Sequence, residues 1–163
     1  MDFEECLRVH GPALWRVIGT YAQAGAERDD LAQEVLLAVW KALPRFRGES
    51  SAKTFVLRIA HNRCLSAAWQ RARRPMGSDG ELIRLRDPRP PVDEELSRHQ
   101  RTERLLWHVR TLPLGQRQVL TLALEGLSHG EIADVVGITP ENVAVRLGRA
   151  REALRRSMER EAA

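Results

Sequence analysis

At 163 residues, the chain is long enough for one ordinary domain or two small helical ones, each near the lower limit for a self-sufficient core. With 43% apolar and 29% charged residues it is neither a disordered tail nor a membrane protein, since no apolar window approaches the roughly 18 residues of a spanning helix. The net charge of +4 favours an acidic partner, of which nucleic acid is the commonest.

Helical periodicity dominates, and no run alternates apolar and polar residues long enough for a strand, so the expected fold is all-α. The opening Met1-Asp2-Phe3-Glu4-Glu5 lacks the basic stretch and apolar core of a secretory signal, which predicts a cytoplasmic chain with reduced cysteines. Phe3, Leu7, Leu14, Trp15, Ile18 and Ala22 place a first helix over 2–24, kinked at Gly11-Pro12 and stopped by Gly25. A second helix is expected from Asp30, whose carboxylate would cap the Gln33 amide. Leu31, Val35, Val39 and Leu43 form its buried stripe, with Leu36 and Trp40 beside it, and Pro44 ends it. After the loop Phe46-Arg47-Gly48-Glu49-Ser50-Ser51, Ser51 caps a third helix reaching about Arg74.

From Ser50 to Ser78 there is no acidic residue, while Lys53, Arg58, Arg63, Arg71, Arg73 and Arg74 are basic. Phe55, Val56, Ile59, Ala60 and Ala67 supply the buried side of that third helix, leaving a positive face for water or a polyanion. Cys6 and Cys64 belong to no C-x-x-C pair, and His61-x-x-Cys64 has no second pair, so no metal or other cofactor is expected.

Gly77, Ser78, Asp79, Gly80, Pro88, Pro90 and Pro91 break helical structure and mark residues 75–91 as a linker between domains at 1–74 and 92–163. Leu82, Ile83 and Leu85 could pack within it. Helical pattern returns at Val92 and runs through Leu96, Leu105, Leu106 and Val109 to the Leu112-Pro113 break. Three further helices follow. The first spans Gln116 to Leu124 and the second Glu131 to Val136, opened by the capping box Ser128-x-x-Glu131 and closed by Gly137. The third is capped by Thr139, with Pro140 at its first position.

A short capped helix, a glycine turn and a second helix three residues later describe a helix-turn-helix, whose second helix enters the major groove. Val143, Leu147, Ala150 and Leu154 form its inner stripe. Glu141, Asn142, Ala144, Val145, Arg146, Gly148 and Arg149 face outward. Arg146 and Arg149 suit guanine edges or phosphate, Asn142 suits adenine, and Ala144 or Val145 suits a thymine methyl group. Arg151, Arg155 and Arg156 either hold the DNA backbone or remain solvated. A hairpin packing only on protein would share the apolar stripe but would not explain these arginines.

Two blocks resemble the sigma factors of bacterial RNA polymerase, specifically the short extracytoplasmic-function (ECF) group. Asp29-Asp30-Leu31-Ala32-Gln33-Glu34-Val35, Ala38-Val39-Trp40, Phe46 to Ser51, Thr54-Phe55 and Arg58-Ile59-Ala60-His61-Asn62 resemble sigma region two. Leu112-Pro113, Ile132-Ala133, Gly137-Ile138-Thr139 and Arg146-Leu147-Gly148-Arg149-Ala150-Arg151 resemble region four. The resemblance implies that Asp30, Gln33, Glu34 and Trp40 bind core RNA polymerase. It implies that Phe46, Arg47, Ser50, Arg58, His61, Asn62 and Arg63 act on the minus-ten promoter element, opening it and holding a flipped base. It implies minus-thirty-five recognition by Glu141, Asn142, Ala144, Val145, Arg146 and Arg149, and an anti-sigma protein as a further partner.

The sequence departs from the family in two places. Of the aromatics common between Thr54 and Ile59 only Phe55 is present, so stacking onto melted bases is either weaker or relies on Trp69. Ala144-Val145-Arg146 stands where Lys-Ser-Arg is frequent. A stand-alone regulator binding an operator without polymerase is the competing reading, though it leaves the Asp30 to Asn62 block without a purpose. No Ser/His/Asp spacing or glycine-rich phosphate loop marks an enzyme, and His10, His99, His108 and His129 read as surface or packed residues.

Overall fold

Asp2 opens the first helix, α1 (Phe3–Gly19), by accepting the Glu5 amide at 2.8 Å, while Glu4 and Glu5 meet the positive end of the helix dipole. The computed structural model to which this helix belongs describes residues 1–74 and 97–163. Pro12 lies inside α1 rather than ending it. The helix ends at Gly19, short of the expected residue 24, and Arg110 Nη1 donates to the Gly19 carbonyl at 2.6 Å, satisfying one of the end carbonyls.

The next helix, α2 (Ala26–Ala42), starts four residues before Asp30, so Asp30 is an exposed interior residue and not the expected cap. The early start is anchored by Arg28. Its Nε donates to the Ala22 carbonyl at 3.0 Å, and its two terminal nitrogens hold Glu103 at 2.6 and 3.1 Å. Leu31, Val35, Val39 and Leu43 form the buried stripe the spacing predicts. Pro44 falls in a 3₁₀ turn (Leu43–Arg45) that closes α2. Ser51 accepts the Thr54 amide at 3.0 Å and starts α3 (Ala52–Ala72). Of the five apolar residues expected inward on α3, Val56 and Ala60 are buried, whereas Phe55, Ile59 and Ala67 are only partly covered. Leu57 and Cys64 complete the buried side; burial pushes the Cys64 thiol up to about 12, leaving it inert.

Past the undescribed stretch, which contains the expected linker 75–91 together with Val92 and Leu96, α4 (Arg98–Arg110) begins with a capping box between Ser97 and Gln100. After Pro113 come α5 (Leu114–Leu124), α6 (His129–Val136) and α7 (Pro140–Ala162). The Ser128/Glu131 box, the Thr139 cap and Pro140 at the first turn of α7 stand as the sequence predicts. Gly137 has φ +80°, the left-handed conformation that turns α6 into α7. A Gly137→Ala chain should lose about 1 kcal/mol, since an L side chain is disfavoured there; urea denaturation with an unchanged m-value would register it.

Two helical groups result, α1–α3 and α4–α7, with no strand among the described residues. Within them α2 packs on α3, α1 on both, and α7 on α4, α5 and α6. Contacts of α1 with α4 and of α3 with α6 join the groups, and buried apolar side chains form one cluster running through both. Gly19 lies where the groups meet: a Cβ there would lie 2.5 Å from Leu106 Cδ1.

Candidate nucleic-acid interface

On α7 the first three turns present Glu141, Asn142, Ala144, Val145 and Arg149 to solvent, while Val143, Leu147 and Ala150 are buried against the helices beneath. Arg146 departs from the expected outward set. It is half-buried, its guanidinium lying 3.3 Å from where a Cβ on Gly115 would sit, so the head of this side chain rests against α5. Farther along, Arg155 and Arg156 pair with Glu152, and Arg155 also with Glu159, all on the helix surface. Exposed pairs of this kind are weak.

The polar face of α2 is equally open. Asp30, Gln33 and Glu34 are exposed one turn apart, and Trp40 continues the line at 56% exposure. Leu37, which sequence reasoning left out, is 51% exposed on the same face. Beside it, α1 and α2 enclose an apolar cleft of about 130 Å³ lined by Leu7, Gly11, Trp15, Ile18, Ala32 and Leu36.

The loop and α3 residues divide into two sets. Phe46 packs on Phe55 with ring centroids 4.8 Å apart and the rings tilted by 44°, Ser50 is half-buried, and Arg47, Asn62 and Arg63 are exposed. His61 is not available to a ligand as expected: it is 2% exposed, and Gln118 Nε2 of α5 lies 3.2 Å from its Nε2. Its Nδ1 is 3.3 Å from Asn62 Oδ1, so a neutral ring protonated on Nδ1 satisfies both contacts. Burial lowers the His61 pKa against the opposing effect of the Asn62 bond, which keeps the ring in that neutral form. The buried Thr54 donates at 3.0 Å to Glu131 Oε1 in the capping box of α6. Hydrogen bonds from the Ser128 amide, then from Thr54, hold the Glu131 carboxyl below the usual range. Arg58 lies between Thr54 and His61 on this stripe, half-buried, with its Nε enclosed and without a hydrogen bond.

Local periodicity gave no sign of these long-range contacts, nor of a second one on α4. His108, 1% exposed, joins Glu161 Oε2 at 2.6 Å through Nε2 and Ser157 Oγ at 2.7 Å through Nδ1, and Arg104 Nε holds Glu161 Oε1 at 3.0 Å. The Ser–His–Glu order is that of a hydrolytic triad, but the imidazole is sealed between α4 and α7 and fastens the two helices together.

The sigma-70 region 2 family model matches residues 6–74, and the sigma-70 region 4 model matches residues 108–154. These two regions in this order define a protein of the sigma-70 class. The ECF RNA polymerase sigma factor SigG of Mycobacterium tuberculosis is 33% identical over 159 residues, covering 82% of this chain, which spans only 43% of that relative's length. The RNA polymerase sigma-H factor of Pseudomonas aeruginosa is 31% identical over 153 residues, covering 88% of this chain and 79% of its own. The ECF RNA polymerase sigma-E factor of Escherichia coli K12 is 31% identical over 148 residues, covering 85% and 76%. The chain therefore belongs to the ECF family of RNA polymerase sigma factors.

Among solved structures, CnrH in complex with the cytosolic domain of CnrY matches with a TM-score of 0.66 at 25% identity, covering 96% of this chain and 87% of that one. The sigma factor RpoE in complex with the anti-sigma factor NepR from Bartonella quintana has the same fold, with a TM-score of 0.72 at 21% identity and 96% of both chains covered. No helix among the described residues is long and apolar enough to cross a membrane.

Proposed function

We propose that the chain binds core RNA polymerase in the cytoplasm, directs it to promoters and helps open the DNA, acting as an initiation factor and not as an enzyme. The observation that carries this reading is the pairing of a region 2 match with a region 4 match on one chain, the latter ending in an exposed, arginine-bearing α7. In it, residues 1–74 and 92–163 act as separate domains about the linker 75–91. Asp30, Gln33, Glu34 and Trp40, joined by Leu37, form the polymerase-binding line. Phe46, Arg47, Ser50, Arg58, Asn62 and Arg63 engage the minus-ten element; Glu141, Asn142, Ala144, Val145, Arg146 and Arg149 read the minus-thirty-five element. An anti-sigma protein is the expected antagonist, in keeping with the NepR complex of RpoE.

Run-off transcription with core polymerase tests the reading: defined transcripts should require this chain. Specific duplex binding by the chain alone, with no transcript, would point instead to a stand-alone regulator. Arg149 is exposed and has no packing role, so Arg149→Ala should leave folding intact. It should weaken promoter use by about 1–3 kcal/mol, the worth of one bidentate base contact, as seen in transcript yield across a titration of the factor.

A further inference from the structure

We propose that Gly115 of α5 is a positioning residue for minus-thirty-five recognition: it is the bare backbone on which the Arg146 guanidinium lies flat, and it fixes the plane in which that side chain offers its donors to a guanine edge. This inference rests on the reading of α7 as the minus-thirty-five helix and extends it to a residue outside that helix.

The chain path does not require glycine at 115. The residue lies in the first turn of α5 with a negative φ, unlike Gly137. At such a position a Cβ ordinarily stabilises the fold, because it restricts the unfolded chain and costs the helix nothing. What a Cβ would meet is Arg146. The three heavy atoms nearest to it would be Nη1 at 3.3 Å, Cζ at 3.7 Å and Nε at 4.0 Å, all of one guanidinium. An end-on guanidinium would spread the first two of these distances by about a bond length, so it is the flat face that meets Gly115.

The consequence is directional. A guanidinium with one face against α5 donates along its edges, in a single plane. Asn142, Arg146 and Arg149 follow at i, i+4 and i+7, so Arg146 is the middle polar side chain of one line along α7. Among the described residues no hydrogen bond or ion pair occupies its donors. An arginine ordered only on arrival at DNA loses rotamer freedom at that step, whereas one already resting on Gly115 has lost part of it in folding. A bidentate pair with guanine needs two aligned donors, while a phosphate accepts a swinging head. Gly115 thus acts on base discrimination more than on affinity for DNA in general.

Holoenzyme made with the Gly115→Leu chain tests this, on a template whose promoter is mapped by run-off transcription and whose minus-thirty-five base pairs are exchanged in turn. Exchange of the pair read by Arg146 should lower the parent's transcript yield about tenfold, and Arg146→Ala identifies that pair by losing the preference. Gly115→Leu, which covers the platform, should weaken the same preference about threefold or more and spare the others. Gly115→Ala should act in the same direction but less, with a thermal midpoint no lower than the parent's. In an Arg146→Ala background Gly115→Leu should change nothing further, since its effect runs through Arg146. An unaltered preference in both Gly115 variants, or an equal loss with and without Arg146, overturns the proposal. A uniform loss at every base pair with a lowered midpoint in both variants also overturns it, by making Gly115 a folding residue only. A promoter whose base preferences all survive Arg146→Ala defeats this inference alone, whereas a parent that yields no transcript defeats the sigma reading and this inference with it.

Discussion

Replacing Leu147 by alanine should lower the unfolding free energy by about 3 kcal/mol, in the range found for fully buried leucines. Leu147 is 1% exposed at the centre of the α7 stripe, between Val143 and Ala150, where α5 and α6 converge. Truncation removes its burial energy and leaves a cavity that two short capped helices cannot close without losing their own packing. Because small domains hold only about 5–15 kcal/mol in all, such a loss is a large share of the total. The thermal midpoint of the chain reports it. Val145→Ala, two residues away but 51% exposed, is the matched control and should shift stability by less than about 0.5 kcal/mol. A Leu147→Ala chain that melts with the parent would mean that the helix-turn-helix is not packed as described.

Glu161→Gln should cost about 3 kcal/mol, the lower end for breaking a buried charged pair by removing one partner. The Glu161 side chain is 4% exposed and serves Arg104 and His108 together, so the amide leaves a guanidinium facing a neutral group that cannot satisfy both donors. Burial alone would raise the Glu161 pKa, but the hydrogen bonds from Arg104 and His108 and their charges outweigh it and hold the carboxyl below the ordinary value of 4.5. A carboxyl depressed in the folded state contributes stability that is complete above the ordinary value and disappears as pH falls through the folded one. The difference between parent and variant should thus be largest near neutrality and shrink below about pH 4. Chemical denaturation across that interval measures it, and a pH-independent difference would remove Glu161 from the account.

Most of the helices were legible because their ends are written locally. Ser51, Ser128, Thr139 and Gly137 each sit within four residues of the group they satisfy, and the stripes Leu31–Leu43 and Val143–Ala150 follow one period. Misjudged boundaries arose where a distant residue intervened. The start of α2 depends on Glu103, more than seventy positions away, which holds Arg28; the end of α1 depends on Arg110. The candidate nucleic-acid surface divides in the same way. The outward set on α7 was readable from periodicity, except that α5 draws Arg146 partly inward at Gly115. His61 was expected at the DNA only through the resemblance to sigma region two, but helical geometry turns it by 100° from Asn62 toward a partner that only the folded chain supplies.

The 23 residues of α7 form one uninterrupted rod, with Asn142 and Arg149 near one end and Glu161 fastened to α4 at the other. From Asn142 to Glu161 the rod is about 28 Å long, so a tilt of about 5° at the fastened end swings the other by about 2 Å. Hydrogen-bond recognition tolerates only about 0.5 Å. If Asn142 and Arg149 read the promoter as proposed, the His108–Glu161 anchorage steadies the far end of the helix that carries them, and loosening it should blur sequence discrimination before any unfolding is detectable.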